Sequence, residues 1–288
     1  MAKEKTITTS KKSKKFKVFP LVNGLIFIII SIVIIVPMWK IIVDSFDTTQ
    51  SLGLNMWPKE FTIGGYKAIL SNVQLYRPFL ISLFTTVAGA LLGLTLSTLG
   101  AYVLIQFDMP GRNFFAYMLL FTMIFNGGMI PTYIVIRDLG FLDSLLSVIL
   151  PLSINVYNLV LMRNFFEGIP GPLYEAAQID GCSPMGTFIK IVLPLSKAAI
   201  ASIGLMFAVL FWNDYTNFKI YIVDNKLFNF QMRLRSMIMD GNSIDTEIEN
   251  QDTMINASII VAILPFMILY PFCQKYFVQG VNVGAVKE

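Results

Sequence analysis

Residues 175–194 read EAAQIDGCSPMGTFIKIVLP, and this polar stretch separates two apolar segments. It begins with an acidic residue and two alanines, continues through a glycine, and closes on a Leu-Pro pair. In an otherwise apolar chain, a stretch of this kind belongs outside the hydrocarbon phase, where water or another protein satisfies its polar groups. The fold therefore depends on how many membrane-spanning segments lie on either side of it.

The composition is that of an integral membrane protein. Of the 288 residues, 55% are hydrophobic and 14% are charged, and the mean hydropathy is +0.67. An ordinary soluble domain has about 25% charged residues. The apolar excess therefore assigns the chain to the membrane class.

Six apolar stretches are long enough to cross a hydrocarbon core about 30 Å thick, which takes roughly 20 helical residues. They run approximately from Phe19 to Val43, Phe79 to Ile105, Phe114 to Ile136, Ser144 to Met162, Ile191 to Trp212 and Ile255 to Phe277. Continuous apolar runs favour helices, because lipid-exposed backbone must satisfy its hydrogen bonds within each segment. The predicted fold is all-α, with six transmembrane helices in one membrane domain at 19–278 and short tails at 1–18 and 279–288.

The positions of lysine and arginine predict the orientation. The leader KKSKKFK at residues 11–17 precedes the first span, and an N-terminus in the cytosol also places Arg112, Arg163 and Lys190 inside. The acidic run from Asp240 to Asp252 then lies outside. We therefore predict cytosolic N- and C-termini. The first apolar run is too long for a signal-peptide core and no A-x-A-like site follows it, so we expect it to remain as the first helix.

Several classes of catalyst are disfavoured by what the sequence lacks. It contains no histidine, and it has no G-x-x-x-x-G-K-[ST] stretch for nucleotide phosphates. Cys182 and Cys273 are too few for a disulfide framework and are expected to be reduced thiols. We expect neither enzymatic activity nor a cofactor bound by this chain, and no nucleic-acid partner.

On this topology, residues 164–190 form the longest internal cytosolic loop, and we predict two short helices within it. Pro172 suits a helix start, Glu175 suits the first turn, and Gly181 suits the helix end. Ser183 and Pro184 then supply a second N-cap and first helical position. The residues alone leave two interpretations open: a plain interfacial connector, or a docking element for a cytosolic partner.

The spacing of the opening stretch distinguishes these interpretations. E-A-A, three residues, G, nine residues and I-x-L-P resembles the EAA loop of ATP-binding-cassette (ABC) importer permeases, and every fixed position is met. Two further stretches, NGGMIPTYIVIRDLGFLDSLLSVILP at 126–151 and CQKYFVQGVNVGAVKE at 273–288, are similar to carbohydrate-uptake permeases of the maltose type. The resemblance covers the chain after its first span and is closest to the smaller, second permease of the oligosaccharide branch.

This resemblance implies a type I ABC importer permease fold and a set of partners. A second six-span permease would complete a heterodimer, a cytosolic ATPase dimer would bind ATP and Mg, and an extracellular sugar-binding lipoprotein would deliver an oligosaccharide. The stretch from about Asp44 to Arg77 and the loop following Trp212 would face that lipoprotein. The residues implied in coupling to the ATPase are Glu175, Ala176, Ala177, Asp180, Gly181, Ile191, Leu193 and Pro194.

Polar residues inside the fourth span suggest a sugar path. Asn155, Tyr157 and Asn158 lie within it, and amides at membrane depth require partners. A sugar would supply them, but so would an interhelical contact between subunits. The Gly89-x-x-x-Gly93 pair of the second span leaves a similar choice, because such motifs support contact within one chain or between chains.

Two other functions remain alternatives. An ATP-independent secondary transporter would need acidic coupling residues at mid-membrane and repeated halves, and neither is evident in the six spans. A non-transporting membrane scaffold would need neither an EAA loop nor the break that Asn126, Gly127 and Gly128 predict in the third span. The isoleucine-, lysine- and asparagine-rich composition suits a low-GC Gram-positive bacterium.

Overall fold

A computed structural model describes residues 18–49, 53, 55–106, 109–240 and 251–285. The predicted tail at 1–18 falls outside this range except for its last residue, as do the centre of the acidic run at 241–250 and the last three residues of the C-terminal tail. The side chain of Cys273 also lies outside the described part of the chain.

Helices make up most of the described residues, and one isolated β-bridge joins Asp47 to Phe61. The first seven helices are α1 Val18–Asp44, α2 Gly64–Ser71, α3 Val73–Ile105, α4 Arg112–Ile124, α5 Met129–Asp138, α6 Leu146–Ser153 and α7 Val156–Glu167. The remaining seven are α8 Gly171–Ile179, α9 Pro184–Thr187, α10 Leu193–Leu195, α11 Lys197–Trp212, α12 Thr216–Tyr221, α13 Phe230–Asp240 and α14 Gln251–Ala285. A π-helical turn, Phe188–Val192, joins α9 to α10.

The predicted all-α membrane fold is confirmed. Among the described residues, four stretches are long and apolar enough to span a membrane: Val22–Asp44, Val73–Ile105, Leu146–Glu167 and Asp252–Phe272. Two bent helix pairs raise the number to six if each pair counts as one span. Of the six spans predicted from the sequence, the first, second, fourth and sixth correspond to these four stretches, and the third and fifth correspond to bent helix pairs.

The third predicted span turns sharply. Helices α4 and α5 meet at 115°, whereas the sequence predicted one broken span from Phe114 to Ile136. The backbone N–H of Gly128, whose φ is +91°, donates to the Asn126 side chain at 2.9 Å, and the Thr132 hydroxyl donates to the Gly128 carbonyl at 2.9 Å. Pro131 lies in the first turn of α5, where proline is tolerated. The turn therefore results from the asparagine–glycine chemistry and not from a proline kink.

The fifth predicted span was wrong as a single helix from Ile191 to Trp212. Helix α11 is bent by 81° from the segment that contains Pro194, and the break falls at Ser196. Because Pro194 has no N–H to donate, the preceding turn widens, and the backbone N–H of Leu193 bonds the carbonyl of Phe188 five residues back. Residues 191–195 thus continue α9 and do not begin α11.

The fourth predicted span is interrupted between α6 and α7. Asn155 acts as the N-cap of α7, and its side chain accepts the backbone N–H of Asn158 at 3.0 Å. The Ser153 hydroxyl contacts the carbonyls of Ile149 at 2.7 Å and Gly89 at 3.2 Å. The interruption therefore comes from capping chemistry, and it is fixed against α3.

The central contact of the fold is between α3 and α11. A Cβ at Gly93 would lie 2.6 Å from the ring of Phe207, and a Cβ at Gly89 would overlap the ring of Phe211. Both rings are fully buried. The Gly-x-x-x-Gly motif thus serves contact within this chain, which is the choice that the sequence left open.

Candidate functional site

The EAA segment, residues 171–194, begins with α8. Gly171 and Pro172 form its first two positions, and Gly181 ends it with a left-handed φ of +73°. The backbone N–H of Cys182 bonds the Ala177 carbonyl at 2.9 Å, and that of Gly181 bonds the Gln178 carbonyl at 3.0 Å. These are the bonds of a glycine-terminated helix. The predicted helix and its glycine stop are therefore confirmed, with the start one residue earlier than expected.

Helix α8 has a buried face and an exposed face. Ala177 is buried, whereas Glu175, Ala176 and Asp180 are exposed. Ile179 is 85% exposed, which is unusual for a large aliphatic side chain on a short helix. The exposed face therefore combines a carboxylate with unpartnered apolar surface, and this is the composition expected where another protein docks.

The second helix of the EAA segment begins as the sequence predicted. The Ser183 hydroxyl accepts the backbone N–H of Gly186 at 3.1 Å, and Pro184 occupies the first helical position. A Cβ at Gly186 would lie 2.9 Å from the sulfur of Cys182, a free thiol. The turn between α8 and α9 is thus closely packed at Gly186.

An aromatic side chain from α3 holds the second helix. The hydroxyl of Tyr102 donates to the carbonyl of Pro184 at 2.8 Å, across 82 positions of sequence. The Tyr102 ring packs on Phe188 with centroids 4.8 Å apart and planes tilted by 39°. Both rings are buried. The EAA segment is therefore attached to the end of α3 by a hydrogen bond and a ring contact.

A second tyrosine, Tyr174, attaches α8 to α7. The Tyr174 hydroxyl donates to the Phe166 carbonyl at 3.2 Å, and Phe166 is fully buried. Burial of Tyr174, with a smaller contribution from nearby Tyr102, raises the pKa of Tyr174 to about 12. At neutral pH this hydroxyl is therefore protonated and remains a hydrogen-bond donor.

The last three predicted coupling residues lie outside α8, and two of them are less exposed than its outer face. Ile191 and Leu193 are half-buried, and Leu193 packs against the core around α3, α7 and α11. Pro194 is exposed just before the bend. The structure thus places Ile191 and Leu193 as internal support, while Glu175, Ala176, Asp180 and Gly181 lie at the surface.

The three predicted sugar-path residues do not share one environment. Asn155 is half-buried and caps α7, Asn158 is 3% exposed, and Tyr157 is 56% exposed. The capping role accounts for Asn155 without a ligand. Tyr157 is the member of the set whose ring is free to contact a sugar or a second subunit.

Sequence reasoning did not identify Tyr102 or Ile179. Tyr102 lies in an apolar helix and its partner is 82 positions away, so no local pattern reveals the contact. Ile179 falls at a variable position of the motif, and its exposure depends on which face of α8 packs on the core. The signal for Ile179 was helical periodicity, since Glu175 lies one turn before it on the same side.

Comparisons with known proteins give these features a context. Residues 111–283 match the family described as binding-protein-dependent transport system inner membrane component. The chain is 38% identical over 268 residues to the polygalacturonan/rhamnogalacturonan transport system permease protein YtcP of Bacillus subtilis, covering 89% of this chain and 94% of that protein. It is 29% identical over 288 residues to the arabinooligosaccharides transport system permease protein AraQ of the same species, covering 96% and 98%.

A solved structure is also similar. It is that of a bacterial ABC transporter involved in the import of the acidic polysaccharide alginate. The match has a TM-score of 0.84 and 30% sequence identity, and it covers 93% of this chain and 100% of the matched one.

Proposed function

The chain belongs to the family of binding-protein-dependent transport system inner membrane components, and on that premise we propose that it carries an oligosaccharide and is driven through its EAA segment. Members of this family are membrane permeases and not enzymes. The proposal concerns two further points: the place where an ATPase acts on this permease, and the cargo.

The exposed face of α8 is the observation that carries the first point. Glu175, Ala176 and Ile179 present a carboxylate, a small side chain and an apolar side chain on one accessible surface. The next helix of the EAA segment, α9, is fixed to α3 by Tyr102. A helix that is exposed on one side and firmly attached on the other transmits a push, whereas a loose connector would absorb it.

The source of the push is a partner subunit. Since this sequence has no phosphate-binding P-loop, ATP and Mg would bind a cytosolic ATPase dimer that receives α8 in a cleft. Closure of that dimer on ATP would carry α8 toward its counterpart on a second, six-span permease. The pathway between the two permeases would then change from inward-facing to outward-facing.

The cargo is inferred from chemistry and from the similar proteins together. Relatives of this chain are named for polygalacturonan, rhamnogalacturonan and arabinooligosaccharides, and the similar structure is named for alginate. All of these are saccharide chains. Exposed Tyr157 is suited to contact a sugar passing through by stacking, whereas Asn155 caps α7 and Asn158 is buried.

The remaining assignments follow from the topology. With α8 facing the cytosol, both termini also lie in the cytosol, and residues 44–77 and the loop after Trp212 face an extracellular sugar-binding lipoprotein. The single membrane domain covers residues 19–278. The cell would be a Gram-positive bacterium, in agreement with the composition and with the Bacillus relatives.

A charge reversal tests the docking assignment. In the whole importer purified through a tag on this chain, Glu175→Lys is expected to reduce ATPase co-purification and oligosaccharide uptake at least about tenfold, since it places a cation where the exposed carboxylate lies. Asp138→Lys is the matched control, because this exposed carboxylate lies in α5 and pairs only with its neighbour Arg137 within the described residues.

The cargo is tested with a panel of oligogalacturonates, arabinooligosaccharides and malto-oligosaccharides. Uptake of at least one of these saccharides, dependent on this chain and on ATP, is expected.

The coupling assignment would be contradicted if Glu175→Lys and Gly181→Phe both kept normal uptake and normal ATPase co-purification. Uptake that did not depend on ATP would indicate the secondary-transporter alternative.

A further inference from the structure

The chain on either side of α8 is attached to the same end of α3, at Pro184 after it and at Glu167 before it. On the outgoing side, the Tyr102 hydroxyl holds the Pro184 carbonyl at 2.8 Å, and the Tyr102 ring packs on Phe188. Tyr102 lies one turn before the last residue of α3, which is Ile105. The backbone at the start of α9 is therefore fixed to the final turn of α3.

On the incoming side, the attachment is ionic. Glu167, the last residue of α7, accepts from Arg163 at 2.8 Å and lies 3.6 Å from a guanidinium nitrogen of Arg112. Another nitrogen of Arg112 donates to the Leu104 carbonyl of α3 at 2.7 Å. The residues that lead into α8 are thus linked through Arg112 to the same final turn of α3.

Helix α3 is in turn joined to the rest of the core. Gly89 and Gly93 let the rings of Phe211 and Phe207 approach its backbone, and Leu159 of α7 packs at Gly100, where a Cβ would lie 2.8 Å from it. A displacement at the Tyr102 end of α3 therefore reaches α7 and α11 through contacts that have no free space.

The α4–α5 pair is the opposite case. No residue of α4 is buried, and Ile136 is the one buried residue of α5. Apart from Arg112 at the start of α4, this pair has few buried contacts through which it could receive the displacement. The packing thus indicates that a displacement of the EAA segment passes mainly to α3, and little of it to the α4–α5 pair.

We propose that Tyr102 is the positioning residue that transmits movement of the EAA segment to α3, and that its hydroxyl–Pro184 bond sets how much transport each ATP produces. This inference rests on the proposed function, since it assumes that α8 is the element displaced by the ATPase. Tyr102 is buried, so it presents almost no surface to the ATPase or the sugar, and it acts through the backbone of α9.

The contact is suited to this task. Its acceptor is a backbone carbonyl, so the bond fixes the path of the chain and not the rotamer of another side chain. The ring is 8% exposed and is held by Phe188, so the hydroxyl has little freedom to move away. A link between two rigid elements transmits displacement only while its length is maintained.

The test removes one oxygen atom. In the complete importer reconstituted in vesicles, Tyr102→Phe keeps the ring contact with Phe188 and loses the bond to Pro184. The ratio of oligosaccharide transported to ATP hydrolysed is expected to fall about threefold to tenfold, within the roughly twofold to thirtyfold range of residues that modulate coupling between sites. Basal ATP hydrolysis, ATPase co-purification and the thermal melting temperature are expected to stay near wild type.

Tyr174→Phe is the matched control. It also removes a tyrosine hydroxyl that bonds a backbone carbonyl beside the EAA segment, but its acceptor, Phe166, belongs to the adjacent helix α7 and is only eight positions away. Its transport-to-ATP ratio is expected to remain within about twofold of wild type, below the range associated with coupling residues.

The outcomes separate this inference from the function on which it rests. A Tyr102→Phe ratio equal to wild type, with Glu175→Lys still defective, would overturn the role of Tyr102 and leave the docking function intact. It would also be overturned if Tyr102→Phe and Tyr174→Phe lowered the transport-to-ATP ratio equally. The same holds if the ratio fell together with the melting temperature, because a general structural effect would then explain the change. Normal transport by Glu175→Lys would contradict the proposed function itself.

Discussion

Two polar segments of this permease are anchored in opposite ways. The EAA segment is held by neutral tyrosine hydroxyls that donate to backbone carbonyls, and its acidic residues point outward. The Asp47 loop, of which residues 45–49, 53 and 55–63 are described, is held by an acidic residue that points inward. Both connect membrane helices, so the different placement of carboxylates reflects different tasks and not different locations in the chain.

The Asp47 loop closes around one carboxylate. The Asp47 side chain accepts backbone N–H groups from Lys59 at 2.8 Å, Thr49 at 2.9 Å and Glu60 at 3.2 Å, and it also accepts the Thr49 hydroxyl at 2.8 Å. The Thr253 hydroxyl of α14 donates to the Asp47 carbonyl at 2.6 Å. This loop is therefore a compact unit fastened to the last helix.

The carboxylates of Asp47 and Glu175 differ in what they contribute: the first stabilises this chain, and the second is exposed to other proteins. Burial by itself raises the pKa of Asp47, but the hydrogen bonds from Lys59, Thr49 and Glu60 outweigh it and lower that pKa to about 2. Glu175 is exposed, so its charge contributes little to folding and is available to another protein. A carboxylate in the Asp47 loop organises backbone, whereas a carboxylate in the EAA segment is presented as a surface.

The largest expected effect on stability is in the Asp47 loop. Asp47→Ala would leave three backbone N–H groups without their acceptor, and we expect it to lower the free energy of unfolding by about 3 kcal/mol. Glu175→Ala is expected to change it by less than about 0.5 kcal/mol, because an exposed side chain is removed. Thermal unfolding of the two detergent-solubilised variants measures the difference. Equal losses of unfolding free energy in the two variants would contradict the difference proposed between the two segments.

A smaller effect is expected on acidification. Because the pKa of Asp47 falls from 3.8 to about 2 on folding, its contribution is complete above about pH 4 and is lost as the pH falls toward 2. The stability gap between wild type and Asp47→Asn should therefore be constant from pH 7 to about pH 4.5 and shrink below it. A Tyr102→Phe variant should show no such narrowing, since a tyrosine hydroxyl does not titrate in this range. A gap that is independent of pH down to 3 would refute this account of the loop.

The smallest expected effect concerns Gly181. Its φ of +73° disfavours any side chain, although a Cβ there would meet no atom within 4 Å. Gly181→Ala is therefore expected to cost about 1 kcal/mol of stability from backbone strain alone. Gly171→Ala is the matched control, because this position has equal space and no left-handed φ, and it should cost nothing. A similar cost at both glycines would show that strain is not the cause.

The extent to which the site could be predicted follows the range of the interactions. The helix of the EAA segment, its glycine end and the Ser183 cap depend on neighbours within a few positions, and the sequence predicted them. The break at Gly128 was predicted from its sequence, although its angle was not, and the bend at Ser196 was not predicted. The attachment by Tyr102 joins residues 82 positions apart, and no local sequence pattern predicted it.

Hydropathy and capping sufficed to predict the membrane class, the number of apolar segments and the place of the polar EAA segment, because both are properties of adjacent residues. The packing of distant helices was needed to show that Gly89 and Gly93 contact Phe211 and Phe207, that Ile179 faces outward, and that α3 holds the EAA segment. These outcomes depend on which surfaces meet when distant helices pack. Such packing is selected by shape and contact over the whole molecule.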